Sequence, residues 1–335
     1  MSAPDTSNNP DAPYDVVVVG GGPAGLQAAL TLGRMHRRTL LLDSGEYRNA
    51  PAERMHNFVT HDGTPPAEFR AAARAELAAY ATVTVREAAA TAVVRDGAGF
   101  RVELSAATDA GGAHGPEVLA ARAVVLATGM RDTLPAIAGL EPLFGTVAAV
   151  CPYCHGHELS GKHVAVLGSG PHVTRVVFLL ERIASRLTVL TDGADLDPGI
   201  RAQLDGAGVA VRPEPVKELS RSAASATVSF AEGPDEEVGG IFVAAEFAQR
   251  APFAGQLGLR MLESGAVEID AMGRTSVPGV FAAGDMAHTA ALPMPMASVL
   301  TAAAAGLVAA AAADGDLLTQ DHPPDRSLSA GYLRS

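Results

Sequence analysis

Two cysteines occur in this 335-residue chain, three positions apart in the run Cys151-Pro152-Tyr153-Cys154-His155. That spacing lets two thiols close a small disulfide ring and leaves one thiol with a lowered pKa, so the pair suits dithiol–disulfide exchange. Zinc ligation competes, because His155 and His157 adjoin the pair. A structural zinc site needs four spaced ligands, usually from two loops, and the chain has no second CxxC, so no metal is expected. An inert buried pair is disfavoured by the flanking Pro, His and Gly. His155 follows Cys154 directly, and a neutral imidazole with a pKa near ~6.5 is matched to taking protons from thiols at neutral pH. Its alternative roles are to cap a helix start or to stabilise the Cys154 thiolate; His157 is read as a structural neighbour.

Two glycine loops are candidates for holding phosphates. Gly20-Gly21-Gly22-Pro23-Ala24-Gly25 satisfies G-x-G-x-x-G between an apolar strand and a helix. Gly20 would make the turn, Gly22 would let a diphosphate reach the backbone, and Gly25 would let helix and strand pack closely, with Pro23 and Ala24 as further cofactor-binding candidates in the loop. Asp43, eighteen residues past Gly25 at a strand end, stands where a ribose carboxylate belongs. The second loop, Gly168 to Val173, keeps two glycines but has Val173 in the third place. A β-branched side chain there is expected to push helix and strand apart or to block a dinucleotide, and Asp192 after the next strand would repel a 2′-phosphate. This loop is expected to be a remnant that no longer binds a nicotinamide cofactor; NADH binding is the alternative. Thr128 and Gly129 close another apolar strand. Thr275 to Asp285 ends in Ala-Gly-Asp, which places Gly284 and Asp285 at the carboxyl end of a strand, where open α/β sheets bind ligands. Met296 and Ala297 lead into a final helix and would offer amides at its start.

The scaffold that must position these groups reads as α/β. Tyr14 to Val19 is a short apolar strand, Leu26 to Arg34 a helix and Arg38 to Asp43 a second buried strand, which together make a βαβ unit. Helical spacing covers Pro66 to Tyr80. Alternation at Val83 to Arg86, Ala92 to Arg95 and Phe100 to Leu104 predicts an antiparallel meander, with a hairpin loop at Thr108 to Gly115 and a buried strand at Ala123 to Ala127. The pattern restarts with His163 to Leu167, Val173 to Ile183 and Leu187 to Thr191, a second βαβ unit. The expected organisation is two Rossmann-like dinucleotide-binding domains, one discontinuous (14–130 and 249–320) with a central domain (131–248) inserted into it. Residues 1–13 read as a disordered polar tail rather than a signal peptide.

Composition narrows the function further. With 25 Lys plus Arg against 37 Asp plus Glu, the formal charge is −12, which repels phosphate backbones and argues against nucleic-acid binding. Aromatic residues are only 4% and Trp is absent, so stacking platforms are not expected. The uncharged run Met296 to Ala313 approaches membrane length but is mostly alanine, so a buried helix packed through small residues is expected, with no membrane span and a cytoplasmic protein.

Together, GGGPAG, Ala127-Thr128-Gly129, the mid-chain CxxC and the late Ala-Ala-Gly-Asp resemble the low-molecular-weight thioredoxin reductase family of flavoproteins, from about Tyr14 to Ala313. CPYC also occurs in glutaredoxins, but there it lies near the start of a small domain. The resemblance implies FAD bound by a domain made of both chain ends, a central domain carrying the CxxC, and a homodimer. It implies that Gly20, Gly22, Asp43, Gly284 and Asp285 contact FAD, with Arg48, Asn49 and Asn57 as further candidates. By family position Cys154 would face the flavin and Cys151 the substrate. Two departures stand out. The reductases' second fingerprint and basic NADPH stretch are missing, and His155 replaces the Asp that follows their second cysteine. Cys-Pro-Tyr-Cys-His-Gly-His-Glu looks like the flavin-dependent dithiol oxidases of disulfide natural-product pathways (gliotoxin, holomycin and romidepsin types, with the holomycin type favoured). That branch implies a small-molecule dithiol as substrate and O2 as electron acceptor, with an NAD(P)H-dependent disulfide reductase as the alternative.

Overall fold

The computed structural model describes residues 12–105, 108–109, 112–113 and 117–323. Nearly all of the 1–13 tail and part of the Thr108–Gly115 loop lie outside the described residues; within that loop, Thr108–Asp109 and Gly112–Ala113 pair antiparallel. The chain divides into two compact units, one of Met1–Tyr47, Glu68–Arg131 and Ala248–Ser335, the other of Arg48–Ala67 and Asp132–Phe247. The segment Arg48–Ala67 thus clusters with the residues of the central domain, although by chain order it falls between elements of the first.

In the first unit, Tyr14–Val19 lies parallel between Thr39–Asp43 and Val118–Leu126. Val16 and Val18 point with Leu41 and Val125 into one core, and Val17 and Val19 with Leu40, Leu42 and Val124 into another. An unbroken valine run is what a strand covered on both faces requires. Val83–Glu87 joins Thr39–Asp43 in parallel rather than forming part of an antiparallel meander. Alternation reports a strand with unequal faces and not its direction; the helix Pro66–Leu77 carries the chain back to start a parallel strand. The antiparallel hairpin Ala90–Asp96 and Gly99–Leu104 then pairs with Val118–Leu126, whose last residues also pair in parallel with Val280–Ala282.

The first helix begins at Pro23, three residues before the apolar spacing starts, because proline at the first helical position is already set to helical φ. The terminal helix Val299–Asp321 lies against it. This helix is long and apolar enough to cross a membrane by length and composition. Its buried face, Ala302, Gly306, Ala309, Ala310, Ala313 and Leu317, belongs to the core containing Ala24, Ala28 and Leu32.

The second unit is built on a parallel sheet in the order Ala148–Ala149, Gly240–Val243, His163–Leu167, Arg186–Leu190, Ala210–Arg212. The helix His172–Leu180 packs on it through Val173, Val177 and Leu180. Val173 is fully buried there, in the core between that helix and the sheet. An antiparallel sheet of Val216–Ser222, Ser225–Phe230 and Glu236–Val238 was not legible as strands, because the first of them is mostly polar and exposed.

Candidate active site

The first unit gathers a phosphate cradle from residues distant in sequence. Gly20, at φ +118°, turns the chain out of the first strand, and a Cβ there would meet the Ala127 carbonyl oxygen at 2.3 Å and the Thr128 nitrogen at 3.0 Å. A Cβ on Gly25 would lie 1.8 Å from the Gly20 carbonyl oxygen. These two positions demand glycine for the close approach of turn, helix and neighbouring strand. At Gly22 a Cβ would meet nothing within 4 Å, and no side chain caps the helix that starts at Pro23. The result is a bare backbone at the uncapped, positive end of a helix, which suits a diphosphate.

Asp43 ends the second strand 1% exposed, pressed against the loop so closely that a Cβ on Gly21 would meet its Cγ at 2.0 Å. It accepts hydrogen bonds from the Gly45 amide (2.9 Å), the Tyr47 hydroxyl (2.7 Å) and the Arg74 guanidinium. Burial alone would raise its pKa; the Arg74, Gly45 and Tyr47 hydrogen bonds outweigh that and hold the carboxyl below the usual range. Arg74 and Tyr47 carry no motif; the packing of Pro66–Leu77 reveals Arg74, and the local turn after Asp43 reveals Tyr47, as its partners. Gly284, at φ +80°, abuts the first helix, with a Cβ there 3.0 Å from that of Ala24, and half-buried Asp285 follows. Thr128 Oγ donates to Met286 Sδ at 3.4 Å, and Gly129 accepts from the Arg250 amide. Met296 and Ala297 precede Ser298, which caps the terminal helix by accepting from the Thr301 amide at 3.1 Å.

Arg48, Asn49 and Asn57 belong to the second unit. Arg48 makes two hydrogen bonds to Asp132, at 2.8 and 2.7 Å, and stacks over Phe247 at 4.8 Å. Asn57 sits at φ +61°, its amide donating to Asp62 at 2.7 Å.

In the second unit Cys151 and Cys154 form a disulfide with their Cα atoms 5.3 Å apart. The pair is presented by a short helix, Pro152–His155, for which Cys151 is the N-cap residue and whose side chain makes no capping bond. Both amides that follow, those of Cys154 and His155, donate to the Cys151 carbonyl at 3.1 Å. His155 ends this turn with both ring nitrogens buried and without a hydrogen-bond partner, so it caps nothing. Burial, and secondarily the nearby His56, push its pKa below the ordinary histidine value, while Glu158 opposes the shift. The imidazole is therefore neutral at pH 7, on the residue that directly follows Cys154. His56 and Glu158 were not singled out from the sequence; His56 Nδ1 lies 3.5 Å from a carboxylate oxygen of Glu158 and equally from one of Asp62. Nothing in the spacing of these residues signals that the Arg48–Ala67 segment brings His56 to the CxxC. Among the described residues no group of three or more His, Cys, Asp or Glu is arranged to hold a metal ion.

A closed CxxC in one nucleotide-type unit and an open glycine cradle in another are the parts of a flavin disulfide enzyme. The family model for pyridine nucleotide-disulphide oxidoreductases matches residues 14–312. The chain belongs to that family. Thioredoxin reductase sirT from Leptosphaeria maculans is 32% identical over 94% of this chain and 98% of its own length. The crystal structure of HlmI superposes with a TM-score of 0.81 at 33% identity, over 92% of this chain and 94% of that one. An oxidoreductase from Agrobacterium tumefaciens gives a TM-score of 0.81 at 32% identity, over 92% and 99%. This pyridine nucleotide-disulphide oxidoreductase is of the thioredoxin reductase-like type, with two Rossmann-like units and FAD as the cofactor. The bare backbone at Gly22 and the uncapped helix start that follows it fit the diphosphate of such a cofactor.

Proposed function

We propose that the protein is an FAD-dependent dithiol oxidase that closes an intramolecular disulfide in a small molecule of the dithiolopyrrolone kind, with O2 reduced to H2O2. The observation that carries this reading is the neutral, unpartnered imidazole of His155 next to the closed Cys151–Cys154 disulfide. The enzyme must deprotonate two substrate thiols, and this histidine is ready to accept a proton without first giving up a partner.

His155 takes the proton of the first substrate thiol, and the thiolate attacks Cys151 Sγ, breaking the Cys151–Cys154 bond and freeing Cys154 as a thiolate. The second substrate thiol, deprotonated in turn, attacks the substrate sulfur bonded to Cys151. That closes the product disulfide and releases Cys151 with both electrons now on the cysteine pair. Bound FAD would supply the two-electron acceptor with which the pair can re-form its disulfide, and the route from there to oxygen. The balance is one dithiol and one O2 in, one disulfide and one H2O2 out. Gly20, Gly22, Pro23, Ala24, Asp43, Thr128, Gly129, Gly284, Asp285, Met296 and Ala297 are the residues we assign to holding FAD; Arg48, Asn49 and Asn57, expected beside them, belong to the other unit.

A second reading is an NAD(P)H-dependent disulfide reductase, favoured by the reductase name carried by sirT. Anaerobic mixing separates the two. Bleaching of the flavin by a dithiol such as reduced holomycin, with no bleaching by NADPH or NADH, supports the oxidase; fast bleaching by NADPH establishes the reductase instead.

A further inference from the structure

The two glycine loops of the chain can be compared position by position. Gly20 and Gly168 both leave a parallel strand at positive φ, +118° and +136°, and both loops run into a helix. Gly22 and Gly170 hold the place where the backbone must be bare for a diphosphate to approach. A Cβ on Gly22 would meet open space. A Cβ on Gly170 would lie 3.2 Å from Nδ1 and 3.4 Å from Cε1 of His172, and one on Gly168 would lie 2.8 Å from Nε2 and 3.0 Å from Cε1 of the same ring. The imidazole rests against the bare side of both glycines.

His172 Nε2 is buried there and has no hydrogen-bond partner. Val173, in the third glycine's place, is turned wholly into the core and does not face the cradle's opening. One carboxylate oxygen of Asp192, at the end of the next strand, accepts the Val216 amide at 2.7 Å, which ties the ribose-position acid to a neighbouring strand.

We propose that His172 is the specificity-determining plug of the second unit. Its imidazole fills the diphosphate seat of the glycine loop, so the chain refuses a nicotinamide dinucleotide, and a smaller residue at this one position reopens the seat. The inference deepens the oxidase reading, because two electrons from NADPH would undo the disulfide that such an enzyme makes, but its geometry stands apart from the CxxC.

The test is calorimetric titration of the FAD-loaded enzyme with NADH, NADPH and ADP-ribose. Wild type is expected to show no saturable binding at millimolar ligand. His172→Ala is expected to bind at least one of the three tenfold or more tighter, and His172→Gln, which refills the space, to behave as wild type. Should His172→Ala fail to fold, His172→Ser is titrated by the same criterion. Micromolar binding by wild type overturns the proposal, as does a folded small-residue variant that binds no tighter. Dithiol bleaching measured on the same samples judges the oxidase reading separately: its loss counts against that reading and leaves the titration to decide the plug.

Discussion

His155 combines burial with missing partners, and both act on its proton. Burial lowers its pKa, so the neutral base persists through neutral pH and is lost only as pH falls below the ordinary value near ~6.5. The acid limb of kcat/KM should therefore lie below that value. His155→Ala should lower turnover about 100-fold with FAD content unchanged, and a variant with near-normal rate and pH profile would place the base elsewhere. The neighbours offer a finer check. His56 lowers the His155 pKa and Glu158 raises it, so His56→Gln should move the acid limb to higher pH and Glu158→Gln to lower pH. Steady-state kcat/KM profiles of both variants test this; an acid limb that stays put in both would separate this cluster from catalysis. The CxxC and His155 were legible in the sequence because they are contiguous. His56 was not, because ninety-five residues separate it from Cys151 and only folding of the Arg48–Ala67 segment brings it near.

At the scale of the elements, two glycines in one helix pair predict opposite outcomes. Gly22 is an N-cap at φ −75° with empty space where a Cβ would go. Gly22→Ala should leave the melting temperature of the apoprotein nearly unchanged while flavin occupancy, read from visible absorbance, falls sharply. Full occupancy would mean that no diphosphate approaches there. Gly306 lies inside the terminal helix, where alanine would normally stabilise by about 1 kcal/mol. Here its Cβ would sit 2.0 Å from the Ala24 carbonyl oxygen, so the helices must separate. Overpacking costs about 1–3 kcal/mol and exceeds the propensity gain. Gly306→Ala should therefore lower thermal stability; an unchanged or raised melting temperature would show that the contact yields easily.

For the whole molecule, the first unit is assembled from three separate stretches of chain, the last of which contains the terminal helix. Arg37 reaches Asp314 at 2.6 Å and Asp321 at 2.9 Å, and Arg122 reaches Asp15 at 3.0 Å and also pairs with Asp321. Partly exposed pairs of this kind contribute about 0–1 kcal/mol each. The apolar face from Ala302 to Leu317 must supply most of the attachment. Truncation after Ser298 should consequently yield aggregated or flavin-free protein even though the GGGPAG loop is intact, whereas Asp321→Asn should be nearly neutral. Soluble yellow protein from the truncation would refute the dependence of the cradle on its last helix.

Contiguous features are legible along the chain: a CxxC with histidine at its flank, the glycine loop between apolar strand and helix, buried parallel strands read from runs of valine and leucine, and the net acidic charge. Each is local, because a turn's backbone or a strand's two covered faces are dictated by neighbouring residues. Tertiary structure alone decided what depends on distant approach. It set the parallel direction of Val83–Glu87, the engagement of Asp43 by Arg74 and Tyr47, and the presence of His56 near His155. It also decided which side chain lies against the glycines of the second loop. Val173 drew notice as a β-branched residue in a glycine's place, yet its side chain turns into the core, while His172, unremarkable by type, lays its ring across both glycines. Spacing along the chain names the residues of a loop, but which way each side chain points is set by what the helix behind it must bury.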